Sequence, residues 1–119
     1  MSEVLRNVQS VAHFEAILAQ NPGIVFFKIG ASWCPPCRAV APLVHGWFAR
    51  ISDRMKAVEV DVDASPEFYA FLKRKRTVKG IPAILCYRAE NTSHVPDDMV
   101  MGASKFEIDA FFTRCAKLL

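Results

Sequence analysis

The segment Ile24-Val25-Phe26-Phe27-Lys28-Ile29 constrains this chain more than any other. It is almost unbroken in apolar, β-branched and aromatic side chains, and a strand of that kind has no polar face to turn toward water. It belongs in the middle of a sheet covered on both faces, and the cover has to come from helices elsewhere in the chain.

Helical spacings stand on either side of it. Val11, Phe14, Ile17 and Leu18 recur at helical intervals behind Ser10 as N-cap, and Asn21-Pro22-Gly23 stops them. After the break Gly30-Ala31-Ser32, a second helix is predicted from Cys34 to about Ile51, carrying Val40, Leu43, Val44, Trp47 and Phe48. Pro42 lies inside it and is expected to kink it. Ala57 to Asp63 alternates valines with acids and is predicted as a strand, and Ser65-Pro66-Glu67 opens a helix bearing Phe68, Phe71 and Leu72. Ile81 to Tyr87 gives a further strand that begins with a proline, and an edge strand is expected near Met99 to Met101. Ser104 and Glu107 match a capping box ahead of a closing helix with Ile108, Phe111, Phe112, Cys115 and Leu118 on one stripe. The order (β)αβαβαββα predicts an α/β fold with a central mixed sheet and helices on both faces.

At 119 residues and 52% hydrophobic content, the chain is expected to form one domain over its whole length, since a second core would leave each half too small. Fifteen basic and twelve acidic residues leave a net charge of +3, too mild an excess to call for nucleic acid. The opening Met1-Ser2-Glu3-Val4-Leu5-Arg6 has no basic region followed by a long apolar stretch, so neither a secretory signal nor a membrane span is expected. The expectation is a cytoplasmic monomer. Of the four cysteines, Cys34 and Cys37 stand three apart, whereas Cys86 and Cys115 are lone residues within apolar segments. The first two read as a catalytic or metal-binding pair in a reducing compartment. Cys86 and Cys115 read as buried apolar residues, with a second redox pair as the alternative.

A Cys-x-x-Cys pair at the start of a helix has a specific chemical use. Unpaired N–H groups and the positive end of the helix favour a thiolate on the first cysteine, and the second lies one turn deeper within disulfide reach. Cys34 is expected to face solvent and attack, Cys37 to resolve, and Trp33 to shield one side of the pair. Attack by Cys34 on a substrate disulfide gives a mixed disulfide, which Cys37 displaces. A zinc site is the competing reading, but it wants a second close pair of ligands, and Cys86, Cys115 and the three histidines supply none. Pro35 and Pro36 also lack the N–H donors that satisfy metal-bound sulfurs. Covalent haem would need His after Cys37, where Arg38 stands. No metal and no cofactor are expected.

Ala31-Ser32-Trp33-Cys34-Pro35-Pro36-Cys37-Arg38, with Pro42 further along, resembles the active site of the thioredoxin family, with Pro-Pro in place of the usual Gly-Pro. Val58-Glu59-Val60-Asp61-Val62-Asp63 resembles a strand of that family, Lys79-Gly80-Ile81-Pro82 its cis-proline loop, and Met101-Gly102-Ala103-Ser104 its last glycine-containing turn. The Cys-Pro-Pro-Cys variant is also similar to that of tryparedoxins and nucleoredoxins. The resemblance implies a thioredoxin fold and a thiol–disulfide oxidoreductase acting on disulfide-containing proteins. Its electrons would come from a reductase or a small dithiol. It implies a cis bond before Pro82 facing the Cys34 sulfur, and a substrate-binding rim of Trp33, Pro35, Ile81, Pro82, Met101 and Gly102. A tryparedoxin-like carrier to peroxidases and a redox-idle binding module are the alternatives.

Two positions depart from the family pattern and are expected to tune the pair. Lys28 stands where the family carries a buried acid, six residues before the first cysteine. Either its cation favours a thiolate at Cys37, or it pairs with Glu59 and does not feel the sulfurs. Pro36, with Pro35, sets the strain and the thiolate stability between the cysteines. Lys73-Arg74-Lys75-Arg76 reads as a solvated helix end, with a docking patch as the alternative. The polar stretch from Arg88 to Asp98 is longer than the family's hairpin and suited to a partner contact. His13, His45 and His94 are scattered and read as non-catalytic, and Asn91-Thr92-Ser93 as a turn.

Overall fold

Ile24–Gly30 forms the central strand, β2, of a five-stranded mixed sheet in this computed structural model, which describes residues 4–119. The opening residues 1–3, read above for a leader, lie outside the described part. Along the chain come β1 (Val4–Arg6), α1 (Val11–Ala19), β2, α2 (Pro35–Phe48), β3 (Met55–Asp61), α3 (Pro66–Arg74), β4 (Ala83–Arg88), β5 (Asp98–Met101) and α4 (Lys105–Ala116). This is the order the sequence predicts. Across the sheet the strands run β1-β3-β2-β4-β5, with β1, β3 and β2 parallel and β4 and β5 antiparallel to their neighbours.

Adjacent residues of β2 show why its composition is apolar throughout. Phe27 packs with Phe14, Phe68 and Tyr87 on one face, with ring centroids 5.3, 5.7 and 5.5 Å away. Phe26 packs with Phe48, Phe111 and Phe112 on the other, at 6.1, 6.0 and 5.1 Å. The first face is covered by α1 and α3, the second by α2 and α4. Burial of each such ring contributes about 1.5–3 kcal/mol, so the strand holds both layers to the sheet. Arg114 of α4 binds Asp98 of β5 through two bonds of 2.9 and 3.0 Å, which fixes the last helix against the edge strand.

Several expectations are corrected: β4 runs Ala83–Arg88 rather than Ile81–Tyr87, with Pro82 just ahead of it. The acid-alternating strand is Met55–Asp61 rather than Ala57–Asp63, because the Asp61 carboxylate accepts the Asp63 N–H at 2.8 Å and closes a turn. The second helix is shorter at both ends: Cys34 is its N-cap and Phe48 its last residue, although it continues past Pro42. Ser65 does not cap α3 with its side chain. Its hydroxyl, 1% exposed as a residue, accepts the Val8 N–H at 2.9 Å and ties the segment after β1 to the start of α3. Ser10 and Ser104 do cap as expected, accepting from His13 N–H at 3.0 Å and Glu107 N–H at 3.2 Å. Among the described residues no helix is long and apolar enough to cross a membrane.

Candidate active site

Strand β2 ends at Gly30, and the chain turns through Ala31-Ser32-Trp33 into α2 with Cys34 as the N-cap residue. The Cys34 backbone is extended (φ −91°, ψ 109°), which directs its side chain back over the helix start. Pro35 and Pro36 occupy the first two helical positions with the fixed φ a helix start needs and no N–H to offer. The first available donor is therefore the Cys37 N–H, and it points at the Cys34 sulfur at 3.3 Å. A thiolate at Cys34 would meet the positive end of α2 and this one backbone donor.

Both thiols are reduced and both residues are covered, Cys34 at 5% exposure and Cys37 at 3%. The expectation that Cys34 faces solvent is thus corrected: it packs in the same buried cluster as Ala31, Cys37 and Ala83. What distinguishes the two sulfurs is their bonding, since Cys34 receives the amide and Cys37 lies beneath. Burial, first, and the thiol contact with Cys34 push the Cys37 thiol up from 9.0 to about 11. The Ala31 backbone and the Lys28 ammonium oppose that rise without cancelling it. Lys28 stands with its Nζ 4.0 Å from Glu59 Oε1, and that neighbour does not isolate it from the sulfurs, since its ammonium still opposes the rise at Cys37.

Trp33 is 60% exposed beside the pair, and its indole N–H donates to Asp63 Oδ2 at 2.7 Å. Asp63 gives no sign of this in the sequence beyond its acidity. Gly30 was read only as part of the break after the strand, yet a Cβ there would stand 3.3 Å from the Cys37 sulfur, so the glycine leaves that sulfur its room. The peptide bond Ile81-Pro82 is cis, and the Pro82 carbonyl accepts the Gly102 N–H at 2.9 Å. That bond and the Ala83–Met101 register hold the two loops side by side, with Gly102 at φ +91° in the left-handed region that favours glycine. Ile81 packs on the cluster containing Cys34 and Cys37, Met101 is 40% exposed, and Pro35 and Pro36 lie on the surface.

Cys86 on β4 and Cys115 on α4 are both 0% exposed and meet each other on the α2/α4 side of the sheet. The contact with Cys86 and burial push the Cys115 thiol far above the ordinary range, which keeps it protonated. Residues 73–76 are exposed at the end of α3. The stretch between β4 and β5 is tied internally by Asn91, whose amide reaches Val95 O and Asp97 Oδ2 at 2.9 Å each. Among the described residues no three His, Cys, Asp or Glu side chains converge to hold a metal ion. His45, set aside in the sequence, lies with Nε2 at 2.6 Å from Glu59 Oε1.

Comparison with known proteins follows the same lines. The Thioredoxin family model matches residues 6–114. A thioredoxin-like protein of Synechocystis is 34% identical over 57% of this chain and 57% of its own length. Thioredoxin 1 of Chlorobaculum tepidum is 36% identical over 53% of this chain and 58% of its own length, so these two matches span under two thirds of either relative. The thioredoxin of Pseudomonas aeruginosa is 28% identical over 93% of this chain and 95% of its own length. Among solved structures, Fasciola hepatica thioredoxin superposes with a TM-score of 0.74 at 25% identity, covering 93% of this chain and 99% of that one. Since the family match runs through the cysteine pair, the cis-proline loop and the glycine turn alike, this chain belongs to the thioredoxin family.

Proposed function

We propose that the protein is a thiol–disulfide oxidoreductase that reduces disulfides in other proteins, with Cys34 as nucleophile and Cys37 as resolving thiol. The observation that carries this reading is the Cys37 N–H aimed at the Cys34 sulfur at 3.3 Å, at the head of α2. The Cys34 thiolate attacks one sulfur of the substrate disulfide, the S–S bond breaks, and the other sulfur leaves with the electron pair and takes a proton. Cys37 then loses its proton and attacks Cys34, forming the Cys34–Cys37 disulfide and releasing the second substrate thiol. A reductase or a small dithiol returns two electrons to the pair; no cofactor takes part in the exchange itself.

Exposed Trp33, Pro35, Met101 and Gly102, with half-buried Ile81, form the surface on which an extended substrate segment lies, Pro82 being buried beside it, and Trp33 and Met101 contribute apolar contact. Lys28 and Pro36 tune the pair, the first through its field at Cys37 and the second by withholding an N–H from Cys34. The test is reduction of insulin with dithiothreitol as donor. Wild-type protein precipitates the insulin B chain and Cys34→Ser does not, while pre-reduced Cys37→Ser mixed with insulin after dithiothreitol is removed accumulates a mixed disulfide detectable by mass. A wild-type chain that leaves insulin intact favours a redox-idle binding module.

A further inference from the structure

The resolving step needs a destination for the Cys37 proton, and the sulfur is buried. Cys37 borders a solvent-connected cavity of ≈ 500 Å³ whose walls also carry Lys28, His45, Glu59 and Asp61. Arg6, Glu59 and Lys28 sit side by side on three neighbouring strands, in register across β1, β3 and β2. Arg6 Nη1 lies 3.0 Å from Glu59 Oε2, and Lys28 Nζ 4.0 Å from Oε1. Over this row α2 lays Cys37, Ala41 and His45, which follow at four-residue steps along one stripe. His45 Nε2 reaches within 2.6 Å of Glu59 Oε1.

Several cavity groups are unsuited to receive a proton. The ammonium of Lys28 and the guanidinium groups of Arg6 and Arg38 only donate. Asp61 Oδ1 is already engaged by the Asp63 N–H at 2.8 Å. Glu59 Oε1 is buried and accepts no well-aligned hydrogen bond among the described residues, although the imidazole and the ammonium stand beside it. Side-chain exposure rises from 16% at Glu59 to 57% at His45, which runs from the buried carboxylate out to solvent.

We propose that Glu59 and His45 form the proton outlet of Cys37, the carboxylate receiving the thiol proton through solvent in the cavity and the imidazole passing it to bulk water. This rests on the disulfide-reductase reading above. In the resolving step the Cys37 S–H bond breaks and an O–H bond forms on Glu59, while the sulfur's electron pair makes the bond to Cys34. The substrate sulfur leaves with the pair of the old S–S bond and is protonated from solvent, so no further oxidant or reductant enters. Neither Glu59 nor His45 touches a sulfur; both act on the proton through solvent in the cavity. The charged groups facing them are Arg6 from β1, Lys28 from β2, Asp61 from β3 and Arg38 from α2.

The experiment uses the reduced full chain and an aromatic disulfide, 5,5′-dithiobis(2-nitrobenzoate), whose halves are released separately. The first release reports attack by Cys34 and the second displacement by Cys37. In Glu59→Gln the ratio of second-phase to first-phase rate falls roughly tenfold or more near neutral pH and recovers in alkali, where hydroxide takes the proton. In His45→Gln the ratio falls less, and added imidazole restores it. A wild-type ratio in both variants at every pH overturns the proposal, as does a deficit that neither alkali nor imidazole corrects. A wild-type chain that releases neither half overturns the reductase reading itself, a result distinct from either of these.

Discussion

Of the first three residues of α2 only Cys37 keeps an N–H, and it points at the Cys34 sulfur 3.3 Å away. An N-cap side chain ordinarily accepts from the second or third helical residue, and Pro36 removes the former. Pro36→Ala returns that N–H. Capture of Cys34 by iodoacetamide near neutral pH is expected to quicken about fivefold, equal to ~1 kcal/mol of added thiolate stabilisation. Timed alkylation followed by mass spectrometry measures it.

Gly30→Ala places a methyl group 3.3 Å from the Cys37 sulfur and 3.6 Å from its Cβ. The sulfur has to shift within a packed site, so the variant is expected to lose about 1 kcal/mol of stability. It should also hold the mixed disulfide longer. Thermal melting and the fraction of trapped intermediate check the two effects.

Burial, above other causes, raises the Cys37 thiol from 9.0 to about 11 in the folded, reduced chain. The folded state then holds this proton more tightly than the unfolded state. Its contribution to stability is complete below about pH 9 and is lost as pH climbs toward 11. Melting temperature of the reduced protein, followed by circular dichroism, should fall more steeply across that window than that of Cys37→Ser. Equal slopes would contradict the assignment.

The Trp33 indole is held at 2.7 Å by Asp63, and both side chains are on the surface. Asp63→Asn should cost no more than ~1 kcal/mol of stability, yet loosen the indole and lower kcat/KM for protein disulfides several-fold. The indole N–H resonance of Trp33 reports the first change and insulin reduction the second. Trp47, held at 2.7 Å by Asp109, serves as an internal reference.

Cys86 and Cys115, both fully buried and in contact with each other, should escape alkylation in the native protein and react in urea. Modification of either at the rate of Cys34 would contradict the packing described here.

The sequence made the layered architecture legible through Phe26 and Phe27, because two large rings in succession on one strand need two covered faces. The Cys-x-x-Cys pair was legible from its spacing, and the loops at Pro82 and Gly102 from their resemblance to the family. Alternation alone overran β3 at Val62 and Asp63, since the turn is made by the Asp61 carboxylate and valine–acid periodicity is blind to it. His45 was read as non-catalytic because histidines were judged by scatter along the chain. Its place eight residues after Cys37, on the same stripe of α2, was the available signal. The meeting of Cys86 and Cys115 depends on how α4 lies across β4, and no local pattern encodes that.

Antiparallel β4 sets Ala83 beside Ile29 and Arg88 beside Ile24. The molecule consequently has two poles: one gathers Cys34, Cys37, Trp33, Pro82 and Gly102, and the other carries the polar hairpin of residues 89–97. A partner gripping that hairpin would hold the protein by its handle and leave the cysteine pole unobstructed. Tethering at one pole and disulfide exchange at the other would then be mechanically compatible.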